Sequence, residues 1–146
     1  PAAAAGLLEE LVGKVTADAV LVDAPCSSSG ALRRRPGLRW DLDVEAAVRD
    51  FPELQLRILN EAAGFVRTGG GRLVYATCSL IREENEGVAR AFERAPAFGE
   101  SWERWDFPDS EEAEISLFGE EGRNWCTIYP EVDGPDGFFI ARWRRR

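Results

Sequence analysis

The 146-residue sequence predicts an α/β fold, with parallel strands joined by a helical crossover and an antiparallel hairpin at the end of the chain. Three observations carry this. Four apolar residues, Ala19 to Val22, run into a carboxylate at Asp23, and a second apolar run, Leu73 to Thr77, ends beside Cys78. Between them lies a stretch with helical periodicity, closed by Thr68-Gly-Gly-Gly71. Strand, helix, short glycine connection, strand is a βαβ crossover, which demands parallel strands. Near the terminus, Gly134-Pro-Asp-Gly137 separates two further apolar runs, and that turn signal predicts a hairpin.

Each element has its own signal. Leu7, Leu8, Leu11 and Val12 recur at helical spacing, so Ala2 to Val12 reads as a helix ended by Gly13. Ala17 to Asp23 is valine-rich and reads as a strand buried on both faces. Pro25 and Gly30 mark a loop. Asp41 and Asp43 stand where a helix could begin. A short turn over Val44 to Arg49 should lead to Pro52 at the first position of a longer helix. There Leu54, Ile58, Leu59, Ala62, Phe65 and Val66 form one apolar face that runs to about Arg67. The second strand is expected over Arg72 to Thr77. Ser79 or a neighbour should cap a third helix, Glu83 to Arg94, with Val88 and Phe92 inward and Pro96 beyond its end. Gly99 to Gly122 has no clear period; Trp102, Trp105 and Phe107 read as packing residues and the acids after them as loop. Trp125 to Tyr129 and Phe138 to Trp143 read as the strands of the hairpin, an antiparallel edge on the sheet.

Composition narrows the chemistry. The chain has no histidine, which removes Ser-His and Cys-His hydrolase mechanisms. Three cysteines without paired-ligand spacing predict neither a metal site nor a disulfide framework. No apolar run approaches the ~20 residues that span a bilayer, and no signal peptide is legible, so no membrane partner and a cytoplasmic location are expected. Methionine is also absent, even at position 1, so the chain is expected to be part of a longer product. The net charge of −8 weighs mildly against a nucleic-acid partner, yet Arg33, Arg34, Arg35 and Arg39 cluster just beyond Cys26.

The crossover has a consequence for Cys26 and Cys78. Parallel strands bring their carboxyl ends to one edge of the sheet, where α/β active sites form. Two thiols at neighbouring strand ends, one beside Asp23 and Pro25, suit nucleophilic catalysis with one thiol attacking and the other assisting. A redox pair is the competing use, although such pairs usually lie as Cys-x-x-Cys at a helix start. A lone cysteine is more often simply a small buried residue. The residues alone leave open which thiol would attack.

Val22-Asp-Ala-Pro-Cys-Ser-Ser-Ser-Gly30, followed by Arg33-Arg-Arg-Pro-Gly-Leu-Arg-Trp40, resembles motif IV of the NOL1/NOP2/Sun family of RNA cytosine-5 methyltransferases. Leu73-Val-Tyr-Ala-Thr-Cys-Ser-Leu80 with Glu83-Glu-Asn-Glu86 resembles motif VI, and Asp136 to Arg142 is similar to the family's terminal strand. Order and spacing agree over nearly the whole chain, and the bacterial Sun-type ribosomal RNA enzymes are the most similar branch. The resemblance implies a Rossmann-like fold and methyl transfer from S-adenosylmethionine to C5 of cytosine in RNA, ribosomal RNA by that branch. It implies Cys78 as the nucleophile that adds to C6 and Cys26 as the thiol that helps release product. It places Asp23 at the cofactor and base pocket, and makes Arg33, Arg34 and Arg39 candidates for RNA contacts. Trp40 could stack on a base, though a lone tryptophan is more often packing.

Three features depart from the family pattern. Arg35 stands where histidine is common. Ser-Ser-Ser-Gly follows Cys26 where Ser-Gly is commoner. The glycine-rich cofactor loop and its ribose-binding acid are missing, since Gly69 to Gly71 precedes a strand instead of following one. Residues 1–146 are therefore expected to be the carboxyl-terminal half of a methyltransferase catalytic domain, inactive alone, with the cofactor-binding half upstream. The alternative is a non-catalytic RNA-binding or scaffold module from a degenerate methyltransferase.

Overall fold

The structure, a computed structural model, describes residues 16–107, 124–130 and 134–146. The expected helix over Ala2 to Val12 and most of the acidic stretch lie outside the described residues.

The crossover forms as expected. Strand β1 (Ala19–Asp23) pairs in parallel with β2 (Arg72–Thr77), with Ala19 opposite Arg72 and Asp23 opposite Ala76. A 3-10 turn (Ser29–Ala31) and three α-helices lie between them: α1 (Leu38–Asp41), α2 (Val44–Val48) and α3 (Asp50–Ala63). The Asp43 carboxylate caps α2 by accepting from the Ala46 N–H at 3.0 Å. Pro52 is the third residue of α3, not the first; its missing N–H still costs nothing, because first-turn amides have no partner within the helix. Helix α3 ends at Ala63, short of the expected Arg67. Gly69 and Gly70 adopt positive φ, +76° and +101°, and turn the chain into β2.

Strand β1 corrects the expectation of a strand buried on both faces. It begins at Ala19 rather than Ala17, Val22 is buried, and Leu21 is 66% exposed. The helices cover only the face carrying Val20 and Val22. Leu21 points the other way because successive strand side chains alternate.

The expected third helix is divided. A π-helical turn (Glu83–Gly87) leads into α4 (Val88–Glu93), which buries Val88 and Phe92 as anticipated. A short α5 (Phe98–Ser101) follows, then β3 (Trp102–Arg104), a strand the sequence did not announce. The hairpin strands are β4 (Trp125–Ile128) and β5 (Phe138–Arg145). The hairpin does not form the sheet edge through β5. That strand lies inside the sheet, antiparallel to β2 on one side, while β4 and β3 pair with successive halves of its other side. Its eight residues are long enough to serve two short strands in line.

The core lies between the sheet and the helices. Leu59, Val66, Leu73, Tyr75, Val88, Phe92, Phe139 and Trp143 are almost wholly buried, and such side chains contribute about 1.5–3 kcal/mol each on leaving water. Phe92 sits among Trp143, Trp102 and Phe98, with ring centroids 4.9, 5.7 and 5.8 Å away. Trp102 and Trp105 pack as expected: Trp102 is buried, and Trp105 lies under the guanidinium of Arg142 at 4.3 Å. Trp40 does not pack; it is 84% exposed. No helix among the described residues is long and apolar enough to cross a membrane.

Candidate active site

The parallel register delivers Cys26 and Cys78 to one sheet edge. Pairing continues past the strands, with the Ala24 N–H donating to the Ala76 carbonyl at 3.0 Å and the Gly30 N–H to the Cys78 carbonyl at 2.9 Å. The two thiols then stand 3.4 Å apart, sulfur to sulfur. Both are half-buried and both are free. Burial pushes the Cys26 thiol up to about 11; neighbouring Cys78 adds to the rise, and the Ser28 backbone N–H opposes it. At neutral pH Cys26 therefore holds its proton.

The loop after Cys26 is fixed from several sides. Ser28 takes a left-handed conformation at φ 58°, unusual for a residue other than glycine, and its hydroxyl accepts from the Cys78 thiol at 3.4 Å. Gly30 passes so close to the Asp136–Gly137 turn that a Cβ there would lie 2.4 Å from the Gly137 carbonyl oxygen. Only glycine admits that approach, which also lets the Gly137 N–H donate to the Gly30 carbonyl at 3.0 Å.

A buried polar cluster underlies both thiols. The Glu84 carboxylate is fully buried. Its Oε2 accepts from the Ser27 N–H at 2.8 Å and from Gln55 Nε2 at 3.0 Å, while its Oε1 accepts from the Ser79 hydroxyl at 2.8 Å. Gln55 Nε2 also donates to the Pro25 carbonyl at 2.9 Å. Asn85, equally buried, accepts from the Thr77 hydroxyl at 2.6 Å and donates to the Ser79 carbonyl at 2.9 Å. The hydroxyls of Ser27 and Ser29 each lie 3.1 Å from that of Ser79. Contrary to expectation, Ser79 does not cap the following helix: that segment begins at Glu83 after Arg82 with no side-chain cap, and the Ser79 hydroxyl instead closes a local turn by accepting from the Ile81 N–H at 3.0 Å.

Glu84, Gln55 and Asn85 escape a reading by residue type, because charged and amide side chains default to the surface. A weak signal was present: Gln55 interrupts the apolar stretch of α3 between Leu54 and Leu56.

The other predicted residues are spread around this centre. Asp23 is exposed at the carboxyl end of β1. Arg34 pairs through Nε with the buried carboxylate of Asp136, and an Arg33 nitrogen lies 3.5 Å from the same group. These two arginines therefore tie the loop after Cys26 to the turn before β5. Arg39 is exposed on α1 and apart from the thiols in sequence and element. The glycine turn before β2 lies at the opposite end of that strand from Cys78, so it holds nothing at this site.

A family profile described as 16S rRNA methyltransferase RsmB/F matches residues 5–144. A probable ribosomal RNA small subunit methyltransferase B from Bacillus subtilis (strain 168) is 38% identical over 135 residues, covering 88% of this chain and 28% of the relative. Ribosomal RNA small subunit methyltransferase B from Klebsiella pneumoniae is 34% identical over 139 residues, covering 94% of this chain and 28% of the relative. The crystal structure of NSun6 from Pyrococcus horikoshii with SFG superposes with a TM-score of 0.71 at 30% identity, over 97% of this chain and 33% of that one. The chain thus spans little more than a quarter of the curated relatives it matches. On the match over residues 5–144, and on the thiol pair at the ends of its parallel strands, this chain belongs to the RsmB/F family of 16S rRNA methyltransferases, with their Rossmann-like fold.

Proposed function

We propose that the protein containing this chain transfers a methyl group from S-adenosylmethionine to C5 of a cytosine in ribosomal RNA, through a covalent adduct between Cys78 and C6 of the base. The observation that carries this reading is the 3.4 Å separation of the Cys26 and Cys78 sulfurs at one sheet edge. The cofactor supplies an electrophilic methyl group. Asp23, an exposed carboxylate at the end of β1, fits a cofactor or base contact there, and SFG, the molecule bound in the NSun6 structure, is an analogue of S-adenosylmethionine.

Cytosine C5 is a weak nucleophile until a thiolate adds to C6. Addition by Cys78 makes C5 enamine-like and able to accept the methyl group. A base then takes the C5 proton, the C5–H electrons restore the C5–C6 double bond, and the Cys78 sulfur leaves as a thiolate. Cys26 is the neighbour that keeps its proton at neutral pH, so its S–H donates toward the departing sulfur and favours release. Arg39 is exposed, and Arg33 and Arg34, although paired to Asp136, keep 42% and 69% of their side chains exposed, which supports reading the three as contacts to RNA phosphates.

The test uses the complete gene product and RNA carrying 5-azacytidine, which arrests the reaction at the adduct. Cys78→Ala is expected to abolish the covalent complex, while Cys26→Ala on ordinary RNA should accumulate it. A Cys78→Ala protein that still traps RNA would reject the assignment of roles.

A further inference from the structure

We propose that Glu84 is the positioning residue of the thiol pair, a buried carboxylate that sets the relation of Cys26 to Cys78 without touching either sulfur. The proposal rests on reading those two cysteines as the reacting groups. The peptide units on both sides of Cys26 are held by one connected set of bonds. The Pro25 carbonyl accepts from Gln55 Nε2, Gln55 Nε2 donates again to Glu84 Oε2, and that same oxygen accepts from the Ser27 N–H. The path closes a ring around the Cys26 backbone. The other oxygen of Glu84 accepts from Ser79, the residue after Cys78. One carboxylate thus grips the chain at both cysteines, which are 52 positions apart in sequence.

The π-helical turn is what presents this grip. Glu84 and Asn85 are consecutive, yet both are buried, and both reach the segment around Cys78. Such turns carry an extra residue in the helical repeat and recur at functional sites. Asn85 holds Thr77 and the Ser79 carbonyl, so the two residues flanking Cys78 are fixed by the same turn. Glu84 is positioned in turn by the rigid sheet, through the Tyr75 hydroxyl donating to its backbone carbonyl at 2.6 Å.

The experiment reads thiol geometry directly, in the complete gene product, with diamide as oxidant. Diamide takes up the two thiol hydrogens with their electrons as the Cys26–Cys78 bond forms, and the rate of that step reports how well the sulfurs are juxtaposed. Misplacing one reacting group by about 1 Å costs on the order of 100-fold in rate. Glu84→Ala is expected to slow disulfide formation by about ten-fold or more, while alkylation of the separate thiols persists. Glu84→Gln keeps an oxygen for the Ser27 and Gln55 donors and offers its NH₂ to the Ser79 hydroxyl, so it should restore the rate to within about three-fold of the parent. If Glu84→Ala fails to fold, Gln55→Met, which keeps the side-chain length and removes both donors, should slow the step by several-fold. A folded Glu84→Ala or Gln55→Met protein that oxidises at the parent rate overturns the proposal. Efficient, Glu84-dependent oxidation in a parent protein that never traps 5-azacytidine RNA would reject the methyltransferase chemistry and leave the positioning role standing.

Discussion

The Cys26 thiol offers the sharpest quantitative test of the site. Burial, reinforced by neighbouring Cys78, raises its pKa from 9.0 to about 11. Iodoacetamide reacts with the thiolate, so at pH 8 a two-unit rise removes about 99% of the reactive form, a factor of about 100. A more basic thiolate is also a better nucleophile, with a Brønsted slope of about 0.4–0.5, which returns a factor of about 6–10. The net expectation is alkylation about 10–16-fold slower than an ordinary exposed cysteine at pH 8. Restricted access would also slow the reaction, so the decisive readout is the midpoint of the rate against pH, which access does not move. Mass-spectrometric mapping of Cys26 should show the rate still climbing beyond pH 10. Replacing Cys78 with Ala removes the secondary cause but not the burial, so the midpoint should fall and remain above that of an ordinary thiol. A parent midpoint at or below 9 would refute the reasoning. The sign of the linkage extends this to stability. A folded-state pKa raised above the unfolded value adds stability that is complete below about pH 9 and is lost as pH rises toward 11. Cys126 and Tyr75, also raised by burial, act in the same direction.

Two further outcomes follow from packing. Gly30→Ala sets a Cβ 2.4 Å from the Gly137 carbonyl oxygen and 2.9 Å from that of Cys78, both backbone atoms that no side-chain rotation can relieve. The overpacking and the loss of the bonds joining Gly30 to Cys78 and Gly137 should together destabilise by about 2–5 kcal/mol, read as a fall in the urea midpoint with the slope unchanged. Trp40→Ala, at a site 84% exposed, should move thermal stability by no more than about 0.5 kcal/mol while weakening RNA binding in a filter assay if the ring stacks on a base; a large stability loss would mean that Trp40 is packed in the complete protein.

The sequence by itself determined strands β1, β2, β4 and β5, the crossover and the edge at which the cysteines meet. Those features are local or nearly so. Apolar runs over Ala19 to Asp23 and Arg72 to Thr77, a helical period between them and a glycine turn leave one sterically sound connection. From it the proximity of Cys26 to Cys78 follows as a matter of register. The antiparallel pairing of β4 with β5 was equally legible, because Gly134 to Gly137 parts two apolar runs with residues that favour chain reversal.

Only the tertiary structure decided the rest. Strand β5 looked like an edge strand because alternation says which residues share a face, not which strand lies alongside. Its place between β2 and the β3–β4 row is settled by long-range pairing. Strand β1 read as buried on both faces, but a run of valine and leucine cannot report that one face lacks a covering layer. Glu84, Gln55 and Asn85 carry the deepest difference. By residue type each belongs in water, and each is buried because donors and acceptors from segments up to 57 positions away converge on it. Sequence specified the two thiols. The partners that fix how the thiols face each other exist only once α3, the π-helical turn and both strand ends have come together.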